Sequence, residues 1–273
     1  MFYELRKINL QDQDLAYIDS PKNQKPPLLS KPIISVIIPV FEEGKILPKT
    51  LSNYQVDLLW KFNAELIISD GGSTDNTVEI AKLFSDKIVL HNSKRKQTIA
   101  EGRNRGAEIA LGDVLVFLNG DTIPHDVEKF FEYVFNWAKS DSKEVALAVK
   151  VKSFPEEEIW KDKIFYFLHN NYVRFLNFIG LGMGRGECQI IRKEAFWKVG
   201  GYNPEIIAGE DFDLYRRLAK IGKIKFVDEI WVYESPRRFR KYGYLRTILK
   251  WILNGIYVML YGRSYSNDWE PVR

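Results

Sequence analysis

Three stretches, residues 33–40, 65–69 and 113–118, constrain this chain more than anything else in it. Each is built around an unbroken apolar run: Ile-Ile-Ser-Val-Ile-Ile-Pro-Val, Leu-Ile-Ile and Val-Leu-Val-Phe-Leu. Alternating apolar and polar residues would mark strands wetted on one face, whereas unbroken runs mark strands covered on both, as in parallel sheets. Residues 46–60, 77–84 and 99–111 carry helical periodicity between them, with a short further strand at 87–90. Strand and helix alternating at intervals of roughly 30 residues predict an α/β fold, a mainly parallel sheet flanked by helices. The chain has 273 residues, enough for one such domain with an appendage. Residues 1–31 are polar, are broken by Pro21, Pro26 and Pro27, and read as an N-terminal arm without chemistry.

In an open sheet of this kind the ligand crevice lies beyond the carboxyl ends of the strands, so the residues that follow each run are the candidates for chemistry. The first run ends in Phe41-Glu42-Glu43-Gly44. Its carboxylates fit either the N-terminal end of a helix, whose dipole favours negative charge, or the hydroxyls or base edge of a nucleoside. No G-x-G-x-x-G follows, which argues against a dinucleotide phosphate loop. The second run ends in Asp70-Gly71-Gly72-Ser73-Thr74-Asp75. The glycines permit a tight turn and Ser73, Thr74 or Asp75 can cap the next helix, which leaves Asp70 to accept from a nucleobase N–H. The third run delivers Asn119-Gly120-Asp121, a carboxylate at a strand tip, where a metal or phosphate is better served than packing. The preceding helix carries Arg103-Asn104-Arg105, and a guanidinium there can pair with a diphosphate or read a base edge. Farther on, Gly209-Glu210-Asp211 leads into an amphipathic helix at 212–221, with one acid expected as N-cap and the other left for chemistry.

Composition narrows the partners. Lys plus Arg number 40 against 36 for Asp plus Glu, a balance of +4, too mild to suggest nucleic acid. The single cysteine, Cys188, excludes an intramolecular disulfide. With no secretory apolar segment at the N-terminus, it points to a reducing cytoplasm.

Pro39-Val40-Phe41-Glu42-Glu43, Asp70-Gly71-Gly72-Ser73-Thr74-Asp75, Arg103-Asn104-Arg105-Gly106-Ala107, Asn119-Gly120-Asp121 and Gly209-Glu210-Asp211-Phe212-Asp213-Leu214 follow one another in order. In these motifs and their spacing the chain resembles the family-2 glycosyltransferases of GT-A fold, over residues 33–240. The continuation Ser235-Pro236-Arg237-Arg238-Phe239 is similar to a bacterial and archaeal branch of that family. The resemblance implies a GT-A (Rossmann-like) domain at 32–240 and inverting transfer of a sugar, a hexose, from a UDP- or GDP-sugar donor to an acceptor hydroxyl. It implies nucleotide contacts by Pro39, Val40, Glu43, Asp70, Arg103, Asn119 and Gly120. It further implies Mg²⁺ or Mn²⁺ on Asp121, Asp211 as general base, Glu210 toward the acceptor, and Arg237 and Arg238 on the departing diphosphate. Hard oxygen ligands suit those ions. The family's metal motif commonly carries a carboxylate where this chain has Asn119, so weak metal binding is expected without nucleotide. Two rivals remain. A sugar-1-phosphate nucleotidyltransferase would want a glycine-rich phosphate loop after the first strand, and a non-catalytic sugar-nucleotide binding protein is favoured by Asn119.

The second half carries fewer motifs. Residues 159–181 form a long aromatic segment whose rings are expected mostly in the core, and 180–186 read as a flexible glycine-rich turn beside the acceptor. Cys188 reads as an inert core residue and His169 as a surface or satisfied histidine. Arg237, Arg238, Arg240 and Lys241 fit a solvated loop, a diphosphate clamp or a site for anionic lipid. Residues 241–273 read as an amphipathic helical extension, with Ile248, Leu249, Ile252, Ile256, Met259 and Leu260 on one side and Arg246, Lys250 and Asn254 on the other. It is too short and too charged to span a bilayer. The expectation is peripheral attachment at the inner face of the cell membrane and an acceptor that is lipid-linked or part of a cell-surface glycan.

Overall fold

The computed structural model describes residues 5–8, 15–19, 31–93 and 95–266. They fall into two units, residues 1–121 with 126–141, and residues 122–125 with 142–273.

The first unit holds β1 (Leu5–Ile8), β2 (Leu15–Asp19), β3 (Ile34–Val40), β4 (Ala64–Asp70), β5 (Lys87–Leu90) and β6 (Val114–Leu118), in the sheet order β1-β2-β5-β4-β3-β6. Strands β5, β4, β3 and β6 are parallel, as their unbroken apolar runs predict. Residues of the segment read as an arm supply β1 and β2, which add antiparallel strands at the β5 edge. Helices α1 (Leu47–Leu51), α2 (Val56–Lys61), α3 (Thr77–Phe84), α4 (Ile99–Ile109) and α5 (Val127–Lys139) complete the unit. The single helix expected at 46–60 is thus two. Asn53 Nδ2 donates to the carbonyls of Lys49 (2.8 Å) and Thr50 (3.2 Å), and Ser52 Oγ to Lys49 O. Side chains thereby take carbonyls that a continuing helix would offer to its own amides.

Helix α4 starts with a reciprocal cap, Glu101 N donating to Thr98 Oγ1 and Thr98 N to the Glu101 carboxylate. It then packs closely on β3, because a Cβ added at Gly106 would lie 2.4 Å from Ile37 Cγ2. The turn from α4 into β6 is fixed by the buried Glu65 carboxylate, which accepts from Ser35 Oγ (2.6 Å), Leu111 N (2.6 Å) and Lys87 Nζ (2.7 Å). These contacts set where α4 ends and β6 begins, beside the amino end of β3.

The second unit contains β7 (Ile123–Pro124), β8 (Glu144–Ser153), β9 (Cys188–Arg192) and β10 (Lys223–Glu234), ordered β9-β8-β10-β7. β8 and β10 are parallel, and β9 and β7 flank them antiparallel. Its helices are α6 (Trp160–Phe178), α7 (Lys193–Lys198), α8 (Glu210–Ala219), α9 (Arg237–Tyr242) and α10 (Tyr244–Tyr261). Asp162 on α6 accepts from both terminal nitrogens of Arg240 (2.9 and 2.5 Å) and from the Tyr244 hydroxyl, which ties α6 to α9 and α10. Phe165 and Tyr166 pack beneath, against Phe239.

Most rings of the aromatic segment were expected inside, and most are outside. Phe165 and Tyr166 are buried, but Trp160, Phe167, Tyr172, Phe175 and Phe178 are exposed, Phe178 to 87%. The inward line of α6 runs through Asp162, Phe165, Tyr166, Val173 and Leu176, so rings on the opposite side of the 3.6-residue period face away from the core. In α10 the buried positions are Thr247, Asn254 and Val258, while Leu249, Ile252, Ile256 and Met259 are exposed. Asn254, expected on the polar side, is therefore inside. Among the described residues no helix is long and apolar enough to cross a membrane.

Candidate active site

In the first unit the loops after β3 and β4 are laced together. Gly71 N donates to Val40 O (2.8 Å), Glu42 N to Ser73 Oγ (2.8 Å), Glu43 N to Thr77 Oγ1 (2.9 Å) and Gly44 N to Asp75 Oδ2 (3.0 Å). Glu42 adopts φ +55° and turns its carboxylate onto Thr74, accepting from its amide (2.7 Å) and hydroxyl (2.9 Å). This separates the two adjacent acids: Glu42 serves the turn, and Glu43 lies with Val40 against Gly120. A Cβ at Gly120 would sit 3.5 Å from Val40 Cγ1 and 3.7 Å from Glu43 Cγ. Pro39 faces α4 at Gly102, whose added Cβ would be 3.4 Å from its own.

Asp70 is 3% exposed, and its Oδ2 accepts from the amides of Gly72 (2.9 Å) and Ser73 (3.0 Å). The turn thus uses the residue that sequence reasoning held back from it. Among the described residues its Oδ1 has only a 3.3 Å contact with Ser73 N. Arg103 has no exposed surface, and its Nη2 donates to Asn119 Oδ1 at 3.1 Å, so α4 delivers a guanidinium to the tip of β6. Asp121 follows, partly exposed. Among the described residues no group of three or more His, Cys, Asp or Glu side chains could hold a metal. Asp121, the metal ligand that the resemblance implies, is a hard oxygen donor. A carboxylate of that kind would suit Mg²⁺ or Mn²⁺.

In the second unit Glu210 and Asp211 open α8. The N-cap is Gly209 at φ +89°, so neither acid caps the helix as expected; both stand in its first turn, where the dipole stabilises negative charge. Glu210 is buried, and Asp211 Oδ1 accepts from Phe212 N at 2.8 Å. The loop leading to them is braced by residues that sequence reasoning passed over. Ser264 Oγ accepts from the amides of Ile207 (2.7 Å) and Ala208 (3.0 Å). Asn254 Nδ2 donates to Ser266 Oγ, and Ser266 N returns a bond to Asn254 Oδ1, both 3.0 Å. A Cβ at Gly209 would touch Val258 at 3.5 Å. The sequence signal was an asparagine midway along an apolar helix and two serines just beyond its end.

The glycine-rich segment 180–186 is also not the free turn expected. Asn177 holds Met183 by both its amide nitrogen and its carbonyl, and Cβ atoms at Gly182 and Gly184 would each come within 2.4 Å of Tyr215, so these glycines serve close approach. Arg185 is almost wholly buried and donates to Glu187 (3.2 Å) and Glu234 (2.7 Å). Burial works to raise the Glu187 carboxyl, but the Arg185 charge and hydrogen bonds to Glu234 and to the backbone together outweigh it and hold it below the usual carboxylate range. His169, beside the Trp251 ring at 5.4 Å, is pushed by burial down to about 3 and is neutral. Burial raises the Cys188 thiol, in keeping with an inert core residue. Arg237 and Arg238 lie half-buried on α9, and Arg240 of the same cluster is committed to Asp162.

Residues 35–200, more than half of the chain, match the family model described as Glycosyl transferase family 2. The chain belongs to glycosyl transferase family 2. Among curated relatives of this family-2 chain, Glycosyltransferase AglE of Haloferax volcanii is 37% identical over 97 residues, 34% of this chain and 32% of that one. Succinoglycan biosynthesis protein ExoA of Rhizobium meliloti is 28% identical over 216 residues, 74% of this chain and 63% of that one. The match thus spans about a third of the first relative's length. Solved structures of similar fold include mannosyltransferase PcManGT from Pyrobaculum calidifontis in complex with GDP-Man and Mn²⁺, with TM-score 0.58 and 16% identity over 85% of this chain and 67% of that one. Residues 1–349 of S. aureus TarS in complex with UDP-GlcNAc give TM-score 0.53 and 15% identity, over 82% and 66%. At such identities the likeness is one of fold, and the fold is GT-A, as the motifs implied.

Proposed function

We propose that this family-2 protein is an inverting hexosyltransferase, moving a sugar from a UDP- or GDP-sugar to an acceptor hydroxyl. The observation that carries the reading is the convergence at the carboxyl ends of β3 and β6, where Val40 and Glu43 lie against Gly120 and Arg103 grips Asn119. Pro39, Val40, Glu43, Asp70, Arg103, Asn119 and Gly120 bind the nucleotide in this reading. Asp121 supplies the metal ligand, and Mg²⁺ or Mn²⁺ there would neutralise charge on the leaving diphosphate. Asp211 takes the acceptor proton as the oxygen attacks the anomeric carbon from the face opposite the diphosphate. One C–O bond forms, the C–O bond to phosphate breaks with its electron pair, and Arg237 and Arg238 receive the departing anion. Glu210 positions the acceptor.

GDP-Man and UDP-GlcNAc in the solved relatives support a nucleotide-sugar donor. The name of ExoA, a succinoglycan biosynthesis protein, supports a glycan as acceptor, taken here as cell-surface or lipid-linked. The exposed apolar side of α10 supports attachment at the inner membrane face through the C-terminal helix. Binding and chemistry separate experimentally. Titration with UDP- and GDP-sugars should show binding that Mn²⁺ strengthens, and Asp211→Asn should keep that binding while losing about 10²–10⁴-fold in turnover. Near-normal turnover by Asp211→Asn would remove the base assignment. Binding without any sugar-nucleotide consumption would leave a binding protein, the reading that Asn119 favours.

A further inference from the structure

Both long helices of the second unit carry a line of large apolar residues on their outward sides. On α6 the exposed line runs through Ile164, Phe167, Leu168, Phe175 and Phe178, at the i, i+3, i+4 spacing of one face. On α10 it runs through Leu245, Leu249, Ile252, Ile256 and Met259. The side of α10 used for docking is its small, polar edge, Thr247 and Asn254 with Val258. A helix lying on a domain in water ordinarily does the reverse. The two helices are neighbours: Trp251 of α10 lies 6.2 Å from Phe165 and 5.4 Å from His169 of α6, and Asp162 binds Tyr244. They are 19 and 18 residues long, roughly 28 Å of helix each, and together form an apolar face far beyond scattered surface residues.

Charge indicates what covers it. The only acid on either helix is Asp162, which has no exposed side-chain surface and is neutralised by Arg240. Lys161, Arg246 and Lys250 stand exposed on these helices. Aromatic rings, aliphatic side chains and cations without exposed acids suit the headgroup and acyl boundary of an anionic bilayer.

We propose that α6 and α10 together form a membrane-seating face that inserts side by side into an anionic lipid surface. This deepens, and rests on, the membrane contact proposed above, but gives half of the seat to a segment whose rings were expected mostly in the core. It also links the seat to chemistry, because the turn after α10 holds Ile207 and Ala208, just ahead of Glu210 and Asp211.

The test is flotation of the full chain with phosphatidylcholine vesicles and with vesicles containing phosphatidylglycerol. The unmodified protein should float with the anionic vesicles, less so at high salt. Phe167→Glu with Phe175→Glu, and separately Leu249→Glu with Ile256→Glu, should each weaken binding about tenfold or more. All four positions are exposed, and an unchanged circular dichroism spectrum and melting transition verify that folding is retained. If only the α10 pair weakens flotation, the shared seat is overturned while the C-terminal contact stands. If the unmodified protein floats with neither vesicle, both membrane statements fall and the sugar-transfer reading is untouched. A dimer in solution that either pair dissolves, with no vesicle binding, would assign the face to a second copy of the chain instead.

Discussion

Asn119 is where a single atom exchange has the largest expected consequence. Its carboxamide oxygen accepts from the buried Arg103, so that charge meets a neutral dipole where a carboxylate would meet it with an opposite charge. It also leaves Asp121 without a second acid in the motif. Asn119→Asp should therefore strengthen Mn²⁺ binding to the free protein, which calorimetry on the unmodified chain should find weak. Tight Mn²⁺ binding by the unmodified protein would contradict the proposal that Asn119 weakens the site. At Gly106 the issue is space. A methyl group there would lie 2.4 Å from Ile37 Cγ2 in a buried contact, so Gly106→Ala should lose about 1–3 kcal/mol by overpacking despite alanine's better helix propensity. Urea denaturation measures it, and a gain in stability would mean that α4 can lift from β3.

Among elements, the α6–α9–α10 junction turns on the fully buried Asp162 side chain and on Arg240, whose side chain keeps 36% of its exposure. Burial alone would raise the Asp162 carboxyl, but hydrogen bonds from Arg240 and Tyr244 outweigh it and set it below the ordinary range. A carboxyl depressed by folding contributes stability above its unfolded value, about 3.9, and loses it as pH falls through the folded one. Asp162→Asn should thus cost roughly 2 kcal/mol at neutral pH, less than a fully buried pair because Arg240 meets water. It should also flatten the fall in stability below about pH 4; an unchanged acid limb would show that other carboxylates govern it. This junction was not legible in the sequence. Strands β3, β4 and β6 were, because a run buried on both faces needs no partner to declare itself. The α1–α2 break was not, since Ser52 and Asn53 act through side-chain bonds to specific carbonyls. Periodicity gave α10 an apolar side and aromatic content put the α6 rings mostly in the core, but the positions of Asp162, Thr247 and Asn254 mark which side turns inward.

Across the whole molecule, the proposed chemistry divides with the fold: the nucleotide residues belong to the first unit and Glu210 and Asp211 to the second. The motifs made both sets legible, but not what holds the second. Its loop is fastened from the far end of the chain, where Ser264 Oγ accepts two successive amides, Ile207 and Ala208, and the Asn254–Ser266 pair fixes the turn that carries it. An amide held by one hydroxyl exchanges by local opening, so its protection reports that hydroxyl and little else. Ser264→Ala should accelerate hydrogen exchange at Ile207 and Ala208 while leaving β3, β4 and β6 protected. If the loop positions the base, turnover should fall several-fold with the donor KM unchanged, because the nucleotide residues lie in the other unit. Faster exchange with full turnover would separate the brace from catalysis. Unchanged exchange at both amides would mean that the loop holds its shape without the C-terminal turn.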